Sequence, residues 1–260
     1  RNLGIAMARG EFVHFMDSDD YYADISVLEH MYNAAIQNNV DICGGTIELL
    51  WDGVRQPLKH NYANTAFENN GIIEYRDFQE SYYHPRYIFR KDLLERNNIR
   101  YPDYKVYEDP PFLVHAMLAA GSFYALKESV YVYRCGHKIR KYTLRNTIDR
   151  LKGIKEVLMV AKEHNLTRLM YFCMCEISAI ADSILSWAIC KQNAEINVLV
   201  DEINNLAGGM AVDVQTAVTE YRNAIKMKRS FIEECKRSPQ IIIFGAGKMG
   251  RKIKNLLEAE

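Results

Sequence analysis

An excess of charge is the first thing missing from this sequence: 33 Lys and Arg stand against 33 Asp and Glu, for a formal net charge of zero. A broad nucleic-acid-binding face would leave a positive surplus, so nucleic acid is not an expected partner. Long apolar runs are missing too. The longest, Ile177 to Cys190, contains Asp182 and is too short to span a bilayer. The opening residues show no leader pattern. The expectation is a soluble, cytoplasmic protein with at most peripheral contact at the inner face of a membrane. Six cysteines occur, with no Cys-x-x-Cys pair and no zinc-like spacing. They read as free thiols in a reducing compartment. Low-complexity disorder is excluded, because 48% of the residues are apolar and 17 tyrosines can help fill a core.

The chain opens on Arg1 and closes on Glu260 inside a helical pattern, so it is expected to be a piece of something longer. Its pattern changes twice. Residues 1–146 alternate helices and short strands. Residues 147–237 hold four helical patterns, near Ile148–His164, Thr167–Lys191, Glu195–Leu206 and Asp213–Arg237. Residues 238–260 begin a strand and a helix. In the first part, Glu11–Met16 reads as a strand, and Asp24 or Ser26 can cap a helix with Leu28, Met31, Ala35 and Ile36 on one face. Val40–Leu50 reads as a strand before a turn at Trp51-Asp52-Gly53, and Lys91–Asn97 as a short helix. Phe123–Leu126 and Val130–Arg134 read as two further strands.

Four motifs carry chemistry. Asp17-Ser18-Asp19-Asp20 sets three carboxylates on a turn after an apolar strand. Such a cluster is costly without a cation, and Mg²⁺ or Mn²⁺ with diphosphate oxygens would relieve the cost. A solvated turn that merely caps the next helix would explain the same residues. Glu108-Asp109-Pro110-Pro111 opens a helix, with Asp109 as N-cap and proline in the first turn. The helix N-terminus is expected to keep Asp109 ionised. A basic loop, Cys135 to Lys141, follows Arg134, and Arg134, His137, Lys138 and Arg140 could close on phosphate. Gly245-x-Gly247-x-x-Gly250 after an Ile-rich strand has the form of a dinucleotide-binding turn, with NAD(P) the ligand such a turn takes.

The run from Arg1-Asn2-Leu3-Gly4 through Gly10-Glu11 to Asp17-Ser18-Asp19-Asp20 resembles the core of the family 2 glycosyltransferases. That resemblance implies a partial GT-A fold (mixed α/β) for the first part of the chain; the helical patterns after it read as a bundle, and the strand and glycine turn at 238–260 as the start of a truncated Rossmann-like unit. The resemblance makes Asp17-Ser18-Asp19 the family's "DXD" motif, which holds a divalent metal (Asp19, Asp17 or Asp20) and a nucleotide-sugar. Tyr107 to Phe112 is similar to the family's Glu-Asp segment, which supplies the general base of inverting members: Asp109, with Glu108 the alternative. His84 to Pro102 is similar to the acceptor-side segment, which would place His84 and Arg86 on substrate beside Arg1, Asn2 and Asp17. Arg134 and His137 would face the leaving diphosphate. The donor would be a nucleotide-sugar and the acceptor a glycan or lipid-linked hydroxyl, in surface polysaccharide assembly. The family's opening unit, which holds the nucleobase, is expected to precede Arg1. Two other readings share the motif. A nucleotidyltransferase also sets carboxylates at a strand end, and a degenerate transferase-like domain could serve as a scaffold.

Overall fold

A computed structural model describes residues 1–59, 63–135, 143–185, 187 and 193–208 of the chain. All belong to one unit, Arg1–Met210. The fourth helical pattern, His137, Lys138, Arg140 and the glycine turn at Gly245, Gly247 and Gly250 lie outside the described residues.

The order is α1 (Asn2–Met7), β1 (Phe12–His14), β2 (Tyr21–Tyr22), α2 (Val27–Gln37), β3 (Ile42–Trp51), β4 (Val54–Pro57), β5 (Gly71–Glu74), α3 (Tyr75–Phe78), β6 (Tyr87–Arg90), α4 (Lys91–Arg96), α5 (Asp109–Ala120) and β7 (Ser122–Arg134). Helices α6 (Leu144–Glu163), α7 (Thr167–Ala179), α8 (Ala181–Leu185) and α9 (Ala194–Ala207) follow. The described strands form one seven-stranded sheet with the path β1-β6-β3-β7-β2, while β4 pairs with β3 and β5 with β7. Only β3 and β7 run parallel; the other pairings are antiparallel.

Strand β3 lies at the centre because it can be buried on both faces. Its first half, Ile42-Cys43-Gly44-Gly45, is wholly buried. Gly44 is required there, since a Cβ would sit 2.0 Å from the Tyr87 ring on the neighbouring strand. Helix α2 covers one face with Val27, Met31, Ala34 and Ala35. Leu28 and Ile36, expected on that buried face, are exposed. The buried stripe begins one residue earlier, at Val27, and follows the i, i+4, i+7, i+8 spacing of a helix face.

Several elements differ from expectation. The two strands expected at 123–134 are one, β7, whose pairing with β3 shifts register at Thr46. Residues Lys127 and Glu128 have no β3 partner at that shift, so a bulge carries the strand past its polar centre. The short strands β2 and β5 carry too few residues for a period-2 signal. The long helix expected from Thr167 to Lys191 breaks near Ile180, where α7 ends.

The helices after β7 pack on the sheet unit. Helix α6 is capped by the Thr143 hydroxyl, which accepts from the Asn146 N–H, and starts before the expected boundary at 146. Helix α6 packs against α5, α7 and α9. Buried Asp149 accepts from the Lys105 backbone N–H at 3.0 Å. Gly153 lies against Tyr107 so closely that a Cβ would meet the Tyr107 carbonyl oxygen at 2.8 Å. The helical segment thereby buttresses the loop that carries Glu108 and Asp109.

Candidate active site

Three separate segments bring their charges together at one end of the sheet. Arg1 precedes α1, Asp17 follows β1, and Glu108-Asp109 opens α5. The Arg1 guanidinium donates to Glu108 Oε1 at 2.7 Å, to Asp17 Oδ1 at 3.1 Å, and to Asp109 Oδ1. Sequence separations of 16 and 107 residues close in this one cation.

An aromatic stack sets the geometry. Tyr101 and Phe112 lie face to face with centroids 4.0 Å apart and planes 7° from parallel. Arg1 sits over the Tyr101 ring at 5.1 Å. Phe15 meets Tyr101, Phe112 and Phe89 edge-on or tilted. Phe112 lies in the first turn of α5, three residues after Asp109, so this stack fixes the helix start. Asn2 holds the other side. Its amide donates to the Tyr101 carbonyl and accepts from the Tyr101 N–H, both at 2.8 Å. The structure therefore commits Asn2 to the Tyr101 backbone.

Asp109 is the first residue of α5, and Glu108 takes the N-cap position without a side-chain capping bond. The expected N-cap role of Asp109 is thus corrected. So is its expected full ionisation. Burial pushes the Asp109 carboxyl up to about 7, with Glu108 and Asp17 adding repulsion and Arg1 opposing. The first turn of a helix offers a modest field, and desolvation by the aromatic stack outweighs it. The side chain still keeps 36% of its exposure, so a substrate hydroxyl can reach it.

The acidic turn divides its labour. Asp20 uses both oxygens inside the fold: Oδ2 accepts from the Tyr131 hydroxyl at 2.6 Å and Oδ1 from the Arg134 N–H at 2.7 Å. Burial holds its carboxyl above the ordinary value, against those two hydrogen bonds. Asp20 is therefore a staple between the turn and the end of β7, not an open metal ligand. Asp17 is 43% exposed beside Arg1, and Asp19 is half-buried on the same turn. Among the described residues, no cluster of three or more His, Cys, Asp or Glu could hold a metal by itself. Mg²⁺ and Mn²⁺ do not need one, since they take one or two carboxylates and complete their shell with phosphate and water oxygens. Asp17 and Asp19 fit that requirement.

Two expected substrate residues are buried in the fold. Arg86 is fully buried, with its guanidinium 4.5 Å from the Phe67 ring centroid and 5.0 Å from that of Tyr87, and donates to the Tyr87 hydroxyl at 2.8 Å. It belongs to a buried aromatic box of Phe67, Phe78 and Tyr87. His84 is 1% exposed, with Nδ1 3.5 Å from Asp109 Oδ2. Its ring is within the cluster but walled off from solvent. Both sit on a single 3-10 turn, His84–Arg86, which points them inward. Arg134 ends β7, with its guanidinium 5.9 Å from the Tyr21 ring centroid. The structural parts of Tyr101, Phe112 and Tyr131 were not foreseen. An aromatic flanking a charged motif is the one signal that could have flagged the first two.

Residues 1–100 match the family model described as Glycosyl transferase family 2. The match covers less than half of the chain, and over this segment the chain is similar to that family. The uncharacterized glycosyltransferase EpsJ of Bacillus subtilis (strain 168) is 30% identical over 146 residues, 52% of this chain and 40% of that protein. The poly(ribitol-phosphate) beta-N-acetylglucosaminyltransferase TarP of Staphylococcus aureus (strain N315) is 26% identical over 137 residues, 51% of this chain and 39% of that one. The chain thus spans about two fifths of the length of these relatives. Among solved structures, S. aureus TarS 1–349 in complex with UDP superposes with a TM-score of 0.53 at 17% identity, covering 86% of this chain and 70% of that one. The same protein in complex with UDP-GlcNAc gives 0.51 at 18% identity, covering 86% and 71%. The shared fold is the mixed α/β GT-A type that the sequence resemblance implied. Neither a nucleotidyltransferase nor a scaffold is favoured by these matches, and nothing in them speaks for NAD(P). No helix among the described residues is long and apolar enough to cross a membrane.

Proposed function

We propose that the protein transfers a sugar from a nucleotide-diphosphate sugar to a hydroxyl acceptor in surface polysaccharide assembly, with inversion at the anomeric carbon. The observation that carries this reading is the convergence of Asp17, Glu108 and Asp109 on Arg1 at one end of the sheet. A UDP-sugar is the donor class, by analogy with the nucleotides bound to TarS. The acceptor is a glycan or lipid-linked hydroxyl. Residues 1–146 act as the catalytic part and the helices after them as its support.

The chemistry follows from the carboxylates. Asp109 accepts the proton of the acceptor hydroxyl as its oxygen bonds to the anomeric carbon. The bond from that carbon to the diphosphate oxygen breaks on the opposite side, and the electron pair leaves with the nucleoside diphosphate. A base with a proton affinity centred near 7 is half ionised at neutral pH and still basic enough to work. Arg1 orients the Asp109 carboxylate and holds down the repulsion from Glu108. Asp17 and Asp19 would hold a divalent cation, which supplies charge neutralisation for the departing diphosphate when bound. Arg134, whose backbone N–H meets Asp20 of the acidic turn, would face the phosphate.

The test is a thermal-shift panel of UDP-, GDP- and CDP-sugars with Mn²⁺. One donor should raise the melting temperature, and the rise should vanish in Asp19→Ala with the metal-free melting temperature unchanged. Equal rises in both proteins would remove the turn from donor binding.

A further inference from the structure

His84 is the buried group that this reaction leaves without a task. Phe15, Tyr101 and Phe112 surround its ring, with centroids 5.8, 5.7 and 6.3 Å away. At 1% exposure it cannot touch an acceptor sugar. Burial and the neighbouring Arg1 charge hold its proton affinity well below the ordinary histidine value, so the ring is neutral. A neutral imidazole carries one N–H, and the partner of one nitrogen decides where that proton sits. Among the described residues, Nε2 has no hydrogen-bond partner. Nδ1 faces the Asp109 carboxylate. An acceptor there selects the tautomer with the proton on Nδ1.

We infer that His84 is a positioning residue for Asp109, its Nδ1–H directed at Oδ2 while Arg1 holds Oδ1, so that the two donors fix the plane of the carboxylate. The inference rests on the proposed role of Asp109 as base. The 3.5 Å separation is longer than a formed hydrogen bond. Such contacts are often long before substrate binds and tighten in the complex. Two oxygens held from opposite sides leave the outward lone pairs in one direction, toward the exposed part of the side chain. A misaimed base can lose as much as about a hundredfold in rate. The ring also arrives with little freedom of its own, because three aromatic side chains set its orientation. Groups facing Asp109 from the surrounding elements are Arg1, Asp17, Tyr101, Glu108 and His84, and any titration must be read with all five in place.

The test uses the whole chain and three proteins: wild type, His84→Phe and His84→Asn. Asparagine places an amide N–H close to where Nδ1 stood, whereas phenylalanine fills the space with no donor. The first readout is the protonation midpoint of Asp109 by carbon-13 NMR of its carboxyl group, which needs no turnover. His84→Phe should bind the Asp109 proton roughly tenfold more tightly, and His84→Asn should return it to within about twofold of wild type. The second readout is transfer. His84→Phe should lower kcat about tenfold with the donor KM unchanged, and His84→Asn should recover most of it. Should His84→Phe fail to fold, His84→Met, which adapts to irregular core space, makes the same comparison. An unchanged midpoint in a folded donor-less variant overturns the inference, as does a raised acceptor KM at constant kcat. Absence of transfer by the wild-type chain would instead overturn the proposed function, with the NMR midpoint still deciding the part played by His84.

Discussion

Asp109→Asn should damage activity and improve stability together. The wild-type carboxyl is displaced from its ordinary 3.8 to about 7, chiefly by burial. A raised carboxyl value means that the folded state penalises the ionised form. The penalty is absent below about pH 4, grows as pH rises, and is complete above pH 7. Its ceiling, from the whole displacement, is about 4 kcal/mol. The side chain keeps 36% exposure, so solvent screening reduces this to on the order of 1 kcal/mol. Asparagine carries no charge to desolvate and keeps an oxygen for Arg1. At pH 8 the variant should therefore melt about 2–4 °C above wild type. At pH 4.5 the difference should shrink markedly. Transfer should fall about 10²–10⁴-fold, because the amide cannot accept the hydroxyl proton. Calorimetry at the two pH values checks the first part and initial rates at saturating donor check the second. A variant that melts below wild type at pH 8 would refute the assignment of a desolvated carboxylate. Near-normal transfer, with Glu108→Gln dead instead, would move the base to Glu108.

Arg1→Gln removes the cation that opposes protonation of Asp109, so the acid limb of the pH–rate profile should move above its wild-type midpoint near 7, as measured by kcat/KM between pH 5 and 9. Asp20→Ala should lower stability by about 1–3 kcal/mol in urea unfolding, because the Tyr131 hydroxyl and the Arg134 N–H lose their shared acceptor. Phe112→Ala should cost about 3–5 kcal/mol in the same assay, since it empties the centre of the stack under Arg1.

Much of the fold was legible because its signals are local. The turn at Asp52-Gly53, the helix started by Pro110-Pro111 and the strand leading into Asp17 each announce themselves within a few residues. The burial of α2 was read one residue out of register, because Leu28 and Ile36 are apolar enough to pass for core. The bulge in β7 needs Thr46 of a distant strand and leaves no mark in its own segment. In the site, the charged residues were visible by type and pattern. Their uses were not. Asp20 looks like its two neighbours until the Tyr131 hydroxyl and the Arg134 N–H, more than a hundred residues on, take both its oxygens. Arg86 and His84 sit two apart on one turn, and only the tertiary packing sends one into an aromatic box and the other against Asp109. Gly153 reads as an ordinary helical glycine until α6 is laid against Tyr107.

The central claim is that the carboxylates gathered on Arg1 move a sugar from a nucleotide. Release of nucleoside diphosphate from a UDP-sugar in the presence of Mn²⁺ and a hydroxyl acceptor measures this most directly, with Asp19→Ala and Asp109→Asn run beside the wild type. The account predicts acceptor-dependent release by the wild type, no release by Asp19→Ala, and release slowed at least about a hundredfold in Asp109→Asn with donor affinity retained. Equal release by all three proteins would contradict it.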